Sequence, residues 1–292
     1  TFDGIHLGHW TILREISERA RVTKRRSVLV TFEPHPLKVL RPESAVQSLT
    51  TSLEKKEILT ESGLDYAVFI AFNKLLSRYQ PLQFVKEILV ERFHVEELVI
   101  GHDHGFGRDR SGNVDTLREL GAELGFQVDV VEPVEAGGAI VSSTRIRAAV
   151  DAGRMDEVEL CLGRPYSFCG TVVYGEKRGR HLGFPTANLS VADKDKLMPP
   201  PGIYAVQCRV EGERYPGALH LGPRPTFKGF APSVEVHLLD FDRDIYGSEV
   251  MVEFVEFLRE IVSFDSPQRL IAQMGQDVQT ARRAVDERAR SV

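Results

Sequence analysis

The chain opens with the stretch TFDGIHLGHW, residues 1–10, in which two histidines lie three positions apart around Gly8. From Trp10 onward apolar residues recur at helical spacing, so the stretch is a turn that leads into a helix. The first turn of a helix presents backbone N–H groups and a partial positive charge, which suit phosphate. Gly8 lets the backbone approach an anion closely, and His6 and His9 can donate hydrogen bonds to its oxygens. The opening stretch therefore predicts a phosphate-binding turn.

The following segments alternate between two hydrophobic periods up to residue 162. We predict strands over residues 27–32, 66–72, 98–101 and 126–134, and helices over 10–20, 51–63, 81–93, 114–124 and 142–152. Strands that alternate with helices form right-handed βαβ units and a parallel sheet, with ligands at the carboxyl ends of the strands. We expect an α/β domain over 1–162. Because the chain begins in the middle of a motif, we expect the first strand of this sheet to be missing from the numbering.

After Gly163 the pattern changes to short strand-like runs separated by turns rich in Gly, Pro and Asp. We predict strands over residues 170–174, 203–210, 218–221, 234–241 and 249–258. This pattern is typical of an antiparallel barrel or sandwich. A last helix begins at Pro267 with Ser266 as its N-cap. We therefore expect a second domain over 163–292.

Composition excludes several classes of protein. A length of 292 residues corresponds to about two domains, and no apolar run is long enough to span a membrane. The net charge of −5 argues against a broad contact with nucleic acid. Cys161, Cys169 and Cys208 form no disulfide framework, which favours a reduced, cytoplasmic location. We expect small-molecule partners, no nucleic acid and no membrane, and a monomer or weak homo-oligomer.

A second helix start, SSTRIR at residues 142–147, carries phosphate-binding chemistry. The hydroxyls of Ser143 and Thr144 and the N–H groups of the helix can hold phosphate, and Arg147 can neutralise its charge. An ordinary capped helix with surface arginines is the structural alternative.

Polar residues also follow the predicted strands. TFEPHP at residues 31–36 and GHDHGFG at 101–107 come after two of them, and the second segment includes Asp103. Asn73 lies just past another strand and is either a pocket residue or a turn residue. The histidines beside Asp103 lack a third ligand for zinc.

The second half contains a glycine-rich loop, GTVVYG at residues 170–175 followed by RGRHLGFPTAN at 178–188. Such a loop, with Gly179 and Gly183, can wrap phosphates. Thr186 and Asn188 are two positions apart, so in an extended segment they face the same way. Two neutral oxygen ligands on one side suit Mg²⁺ that is already bound to ATP phosphates.

A glutamate on a predicted strand is a candidate general base. In SVEVHLLDF, residues 233–241, alternation places Glu235 on the face opposite the valines. A carboxylate that projects toward a pocket can accept a proton from an attacking alcohol. A solvated surface glutamate is the alternative.

These motifs resemble those of known families. H-x-G-H resembles the nucleotidyltransferase signature, which class I aminoacyl-tRNA synthetases share, but the lysine-rich K-M-S-K-S-like loop of the synthetases is absent from this sequence. Residues 142–147 resemble the I-S-S-T-x-I-R element of small nucleotidyltransferases, and 31–36 and 101–107 resemble flavin-nucleotide adenylyltransferase elements. In the second half, 170–188 and 233–241 resemble riboflavin-kinase motifs. Nearly the whole chain thus resembles the prokaryotic bifunctional riboflavin kinase/FMN adenylyltransferase family, the FAD synthetases.

The resemblance implies a Rossmann-like nucleotidyltransferase domain over 1–162 and a six-stranded antiparallel barrel with a C-terminal helix over 163–292. It implies phosphorylation of riboflavin to FMN, then adenylylation of FMN to FAD with release of pyrophosphate, with ATP and Mg²⁺ in use. The implied adenylyl-transfer residues are His6, Gly8, His9, Ser143, Thr144 and Arg147. The implied kinase residues are Gly179, Gly183, Thr186, Asn188 and the base Glu235, with Mg²⁺ held by Thr186 and Asn188. The candidate flavin contacts are Asn73 and Asp103 in the first domain, and Leu258 and Arg259 in the second.

Two positions depart from the family pattern, and two other functions stay open. His104 replaces a usual aromatic residue and His220 a common asparagine, so their roles are unassigned.

A single-activity transferase with a degenerate second domain is one alternative, which the intact Thr186, Asn188 and Glu235 argue against. A nucleotide sensor or RNA-binding protein is the other, which the net charge of −5 argues against.

Overall fold

The computed structural model describes residues 1–44, 46–102, 105–107, 112–175, 178–223 and 233–291. They fall into two compact units, Thr1–Ser143 and Thr144–Val292. The division lies ahead of the boundary expected near residue 162. The reason is that helix Met155–Leu162 packs on strand Glu249–Arg259, and the preceding helix joins it through an ion pair of Arg145 with Glu157 at 2.9 Å.

The first unit alternates helices with strands, as the two hydrophobic periods predict. Its helices are α1 Leu7–Thr23, α2 Pro36–Leu40, α3 Ser52–Thr60, α4 Pro81–Phe84 and α5 Val114–Leu124. Its strands are β1 Val28–Glu33, β2 Tyr66–Ala71, β3 Glu97–Gly101, β4 Gln127–Val131, β5 Glu135–Ala136 and β6 Ala139–Ile140. The predicted helix over 81–93 differs in detail, because its second part, Val85–Val90, is a π-helix.

The strands of the first unit pair in parallel, which confirms the expected α/β class. β1 pairs with β2 and β3 pairs with β4, both in parallel, while β5 and β6 form a short antiparallel hairpin. In the described part of this unit, apolar side chains of the strands and helices make two buried clusters. One is Ile5, Leu13, Leu29 and Leu59, and the other is Val85, Leu89, Ile100, Leu117, Leu120 and Phe126.

Local signals explain where two of these helices begin and end. Thr51 and Glu54 form the predicted capping box at α3, since each side chain accepts from the backbone N–H of the other residue. α1 ends at Thr23, and its C-cap Lys24 has a left-handed φ of 55°. The side chains of Glu15 and Arg19, at 2.8 Å, form an i,i+4 ion pair on α1.

The second unit is a closed antiparallel barrel flanked by helices. The helices are α6 Ser143–Asp151, α7 Met155–Leu162, α8 Arg178–His181 and α9 Pro267–Ser291, of which α6 begins on the last residue of the first unit. The strands are β7 Ser167–Val173, β8 Ala187–Ser190, β9 Gly202–Val210, β10 Glu213–Gly222, β11 Ser233–Leu238 and β12 Glu249–Arg259. They close in the order β10-β11-β8-β7-β12-β9, every neighbouring pair antiparallel. The expected six-stranded barrel with a C-terminal helix is confirmed.

Aromatic side chains fill the barrel. Phe168, Tyr204 and Phe254 are at most 1% exposed, and the Tyr204 ring meets the Phe254 ring edge-on with centroids 5.2 Å apart. The Tyr204 hydroxyl donates to the carbonyl of Pro200 at 2.6 Å, and burial raises the pKa of Tyr204 to about 12. No helix in the described part of the chain is long and apolar enough to cross a membrane.

Candidate active sites

The two histidines of the opening turn cap α1 reciprocally. Nδ1 of His6 accepts from the backbone N–H of His9 at 3.4 Å, and Nδ1 of His9 accepts from the N–H of His6 at 3.3 Å. Their rings stack with centroids 3.7 Å apart, and the ring of Phe2 stacks on His9 at 4.5 Å. The pair has the geometry of a capping box with histidines at both positions. The three-residue spacing is the sequence signal for it.

This capping fixes which ring nitrogen of each histidine is a donor. Because Nδ1 accepts a hydrogen bond, it carries no proton, so the neutral ring is protonated at Nε2. Each ring therefore carries its N–H at the nitrogen remote from the cap. The backbone at Gly8 passes close to the His6 ring, since a Cβ at that position would lie 3.3 Å from Nδ1 of His6.

Asp3, which the sequence did not single out, holds the turn in place. Its carboxylate is 2% exposed and accepts from the N–H of Leu49 at 3.0 Å and the N–H of Thr50 at 3.1 Å. The Thr50 hydroxyl adds a third donor at 3.3 Å and itself accepts from the N–H of Gly4 at 3.1 Å. The segment before α3 thus anchors the histidine turn.

The second predicted phosphate element starts beside the same turn. The Ser143 hydroxyl donates to the carbonyl of Asp3 at 2.9 Å, so the structure brings Ser143 to the loop that carries the histidines. Thr144, which is exposed, and Arg147, which is half-buried, continue α6 into the second unit. Their proposed roles rest on the motif.

The predicted flavin contacts of the first domain have different outcomes. Oδ1 of Asn73 accepts from the N–H groups of Leu75 and Leu76, both at 2.9 Å, so the side chain forms a turn after β2. The sequence allowed either a turn role or a pocket role for Asn73, and these hydrogen bonds are those of a turn residue. The NH₂ group of the amide takes no part in these two bonds. Asp103 and His104 lie outside the described residues.

In the barrel, the predicted base and the predicted ligands converge. Oε1 of Glu235 accepts from the Ser233 hydroxyl at 2.9 Å, and Oε2 accepts from the Thr186 hydroxyl at 3.3 Å. Glu235 is directly opposite Asn188 on β8 and His220 on β10. Directly opposite residues of an antiparallel pair point to the same face, so all three side chains share one face.

The glycine-rich loop packs its backbone against these ligands. A Cβ on Gly175 would overlap the side-chain amide of Asn188. A Cβ on Gly179 would overlap the carbonyl of Phe184 and lie 3.2 Å from the Thr186 hydroxyl. Gly183 has a φ of 86°, a left-handed conformation that favours glycine. The close approach of the loop backbone to Asn188, and to Phe184 and Thr186, therefore explains why positions 175 and 179 are glycine.

His237, two residues after Glu235, secures the segment before Thr186. Its Nδ1 donates to the carbonyl of Pro185 at 2.7 Å, and its ring meets the ring of Phe184 edge-on with centroids 5.6 Å apart. Strand alternation places His237 on the same side of β11 as Glu235. Alternation was a signal for this shared face, whereas the contact with Pro185, 52 positions away, depends on folding.

The two predicted flavin contacts of the second domain attach α9 to the barrel. Arg259 donates to both carboxylate oxygens of Asp277, at 2.9 and 2.6 Å. Leu258 packs on a small-residue cluster that includes Ala205 and Ala281. Both side chains therefore have a structural role at the end of β12.

The donor chemistry of the barrel site fits a magnesium ion bound to nucleotide. Among the described residues, no group of three or more His, Cys, Asp or Glu side chains is placed to hold a metal on its own. Thr186 and Asn188 provide a hydroxyl and an amide oxygen beside the Glu235 carboxylate. Hard oxygen ligands of this kind suit Mg²⁺ that keeps phosphate oxygens as its other ligands.

Comparison with known proteins identifies the family of both halves. Residues 1–145 match the family model described as FAD synthetase, and residues 162–285 match the one described as riboflavin kinase. A bifunctional riboflavin kinase/FMN adenylyltransferase from Listeria monocytogenes is 38% identical over 96% of this chain and 89% of its own length. Proteins of the same name from Pseudomonas fluorescens and Escherichia coli K12 are 39% and 35% identical, each over 96% of this chain and 90% of the relative.

A solved structure has the same fold over almost the full length. It is described as a macrolide-efflux protein from Streptococcus pneumoniae, with a TM-score of 0.87 and 31% identity over 96% of this chain and 91% of that one. The chain belongs to the bifunctional riboflavin kinase/FMN adenylyltransferase family, with an N-terminal FAD synthetase domain and a C-terminal riboflavin kinase domain.

Proposed function

We propose that two separate sets of side chains carry the two activities of this enzyme. The chain phosphorylates riboflavin to FMN and adenylylates FMN to FAD. We assign the first reaction to the barrel face around Glu235 and the second to the turn around His6 and His9. The observation that supports this assignment best is the Glu235 carboxylate, which two hydroxyls orient directly opposite Asn188.

In the kinase reaction, Glu235 accepts the proton of the ribityl 5′-hydroxyl of riboflavin. The oxygen attacks the γ-phosphorus of ATP, the bond to the β-phosphate oxygen breaks, and ADP leaves. The hydroxyls of Ser233 and Thr186 fix the orientation of the carboxylate, so the base needs no rearrangement before it acts.

The nucleotide of the kinase reaction lies, in this proposal, against the glycine-rich loop. Gly179 and Gly183 let the backbone approach the phosphates, and Thr186 and Asn188 would hold Mg²⁺ through their side-chain oxygens. When bound, the ion supplies neutralisation of charge on the transferring phosphate. Leu258 and Arg259 are the proposed flavin contacts of this domain.

In the adenylyl transfer, an oxygen of the FMN phosphate attacks the α-phosphorus of ATP and pyrophosphate leaves. The nucleophile is already an anion, so positioning and charge stabilisation suffice. Nε2–H of His6 and of His9 donate to phosphate oxygens, as does the backbone at Gly8. Ser143, Thr144 and Arg147 bind the leaving pyrophosphate, and Asn73 and Asp103 contact the flavin.

The wider assignments follow from the same reasoning. We propose a functional division into residues 1–162 and 163–292, because the helices up to residue 162 include Arg147 of the adenylyl-transfer motif. The proposed partners are riboflavin, FMN and ATP, without nucleic acid or membrane, in a monomer or weak homo-oligomer. A cytoplasmic location accords with three cysteines in thiol form.

Incubation with Mg-ATP and either riboflavin or FMN, followed by chromatography, tests the two-site assignment. Glu235→Gln is expected to abolish FMN formation and to leave FAD formation from supplied FMN intact. His9→Ala is expected to do the reverse. If the Glu235 variant still phosphorylates riboflavin at the parent rate, another group is the base.

A further inference from the structure

Lys55 is a charged side chain at the histidine turn that the assignment above does not use. It lies on α3, and its ammonium donates to the carbonyl of Thr1 at 3.2 Å. The same carbonyl accepts from the Thr31 hydroxyl at 3.0 Å. The next residue, Phe2, stacks its ring on His9. Lys55 is therefore fixed against the backbone that leads into the pair of histidines.

The position of Lys55 is coupled to the turn by a second set of contacts. The Asp3 carboxylate binds the N–H groups of Leu49 and Thr50, in the segment that immediately precedes α3. Lys55 follows one turn into that helix. The histidine turn and the Lys55 ammonium are thus both connected to residues 49–55, the start of α3 and the segment before it.

The ammonium of Lys55 is poorly compensated for a half-buried charge. Burial lowers its pKa, although the carboxylates of Asp3 and Glu33 act in the opposite direction. Among the described residues no carboxylate forms an ion pair with Lys55. Glu33 instead accepts from the Ser52 hydroxyl and pairs with Lys56 at 3.8 Å. A bound anion beside such an ammonium would supply an electrostatic attraction that stabilises its charged form.

We propose that Lys55 binds a phosphate group in the adenylyl-transfer site, alongside the donors of His6 and His9. The proposal rests on the assignment of that reaction to the histidine turn. A lysine ammonium recognises phosphate as a compact charge with three donors, and it complements imidazole N–H groups, which carry no full charge when neutral. The phosphate belongs either to FMN or to ATP, and kinetics distinguish the two.

The test compares Lys55→Met with Lys56→Met, which removes the same charge one position along the same helix, where the side chain is 51% exposed. Initial rates of FAD formation are measured against FMN at saturating ATP and against ATP at saturating FMN. For Lys55→Met we expect kcat/KM to fall at least tenfold, with the larger KM increase marking the substrate whose phosphate is bound. Lys55→Arg should recover part of the loss, and Lys56→Met should stay within twofold of the parent.

Two further readouts separate binding from a folding defect and from an error in the parent assignment. Inhibition of FAD formation by inorganic pyrophosphate or inorganic phosphate should weaken in Lys55→Met while the melting temperature and riboflavin phosphorylation stay unchanged. A Lys55→Met enzyme with kcat/KM within twofold of the parent would overturn the proposal. If His9→Ala alone is fully active, the histidine assignment fails and a loss in Lys55→Met then locates the phosphate site away from the histidines.

Discussion

The carboxylate of Asp277 accepts two hydrogen bonds from the guanidinium of Arg259, at 2.9 and 2.6 Å, and thereby joins the last barrel strand to the C-terminal helix. The Asp277 side chain is 9% exposed, and Gln273 donates to it as well at 2.9 Å. Removal of one member of such a pair leaves the other charge buried without its partner, which is costlier than losing both.

We expect Asp277→Asn to lower the free energy of unfolding by about 3 kcal/mol, the lower end for a buried pair because Arg259 is partly exposed. Urea unfolding of the full chain measures this loss. Arg269→Met serves as the control, because Arg269 and its partner Asp265 are both largely exposed and should contribute roughly 0–1 kcal/mol. Equal effects of the two substitutions would contradict the buried-pair interpretation.

Substitution of Asp3 should impair only the adenylylation of FMN to FAD. Asp3→Ala removes the acceptor of three donors from Leu49 and Thr50 and leaves two backbone N–H groups unsatisfied in a buried position. We expect the histidine turn to lose its fixed position and FAD formation from FMN to fall at least tenfold, while riboflavin phosphorylation stays near the parent rate. A parallel loss of both rates would indicate global unfolding instead.

The methyl group that Gly175→Ala adds should impair riboflavin phosphorylation. Its Cβ would overlap the side-chain amide of Asn188, so the amide must shift from its present position opposite Glu235. We expect Gly175→Ala to lower kcat/KM for Mg-ATP at least tenfold. Gly275→Ala is the matched control in α9, where the added Cβ meets nothing closer than 4.0 Å, and it should stabilise the chain by roughly 0.5–1 kcal/mol.

The Ser27–Asp65 contact predicts a pH-dependent contribution to stability. The backbone N–H and hydroxyl of Ser27 donate to Asp65 at 2.8 and 2.9 Å and lower the pKa of Asp65 below its ordinary value. A folded-state pKa below that of the unfolded chain stabilises the fold above about pH 4, and this contribution is lost as pH falls through the folded-state value. Asp65→Asn should therefore lower the melting temperature at pH 7, with a smaller decrease at pH 3.

A double-mutant cycle checks the origin of that effect. In a Ser27→Ala background the hydroxyl donor is gone while the backbone N–H donor remains, so Asp65→Asn should cost less at pH 7 than it does in the parent chain. An undiminished effect would mean that Asp65 acts through the backbone N–H of residue 27 or the ion pair with Arg26, and not through the Ser27 hydroxyl.

The structural division at Ser143 predicts how the second half behaves alone. α7 packs on β12, and α6 is tied to α7 by the Arg145–Glu157 ion pair. We expect residues 144–292 to phosphorylate riboflavin and to melt at a higher temperature than residues 163–292. If the two fragments are equally stable, the boundary near residue 162 is the better description of the kinase domain.

Local patterns were sufficient for the classes of element and for most of the motif residues. Alternating periods predicted parallel strand pairs before residue 162 and antiparallel strands after it. Strand alternation in residues 233–241 predicted that Glu235 lies on the face opposite the valines. β8 was missed because its four residues, Ala187–Ser190, are too few for alternation to show. α7 was missed because it follows α6 after a short turn at Gly153.

Contacts between distant residues were beyond reach of the sequence pattern. Asp3 and Thr50 are 47 positions apart, and Arg259 and Asp277 are 18 apart, so no helical or strand period relates them. The motif position of Arg259 suggests a flavin contact, and only folding shows that its guanidinium also pairs with the carboxylate of Asp277 on α9. Neighbours that only folding brings together therefore decide what such a charged side chain does.

Closure of the barrel has a consequence for behaviour at high concentration. Each of its six strands has a hydrogen-bonded neighbour on both sides, so the ring offers no unpaired strand edge on which another polypeptide could add itself. Cross-β growth from this ring would require prior opening of a strand pair. Aggregation that begins at the barrel should therefore track the rate at which a strand pair opens rather than the concentration of the folded chain.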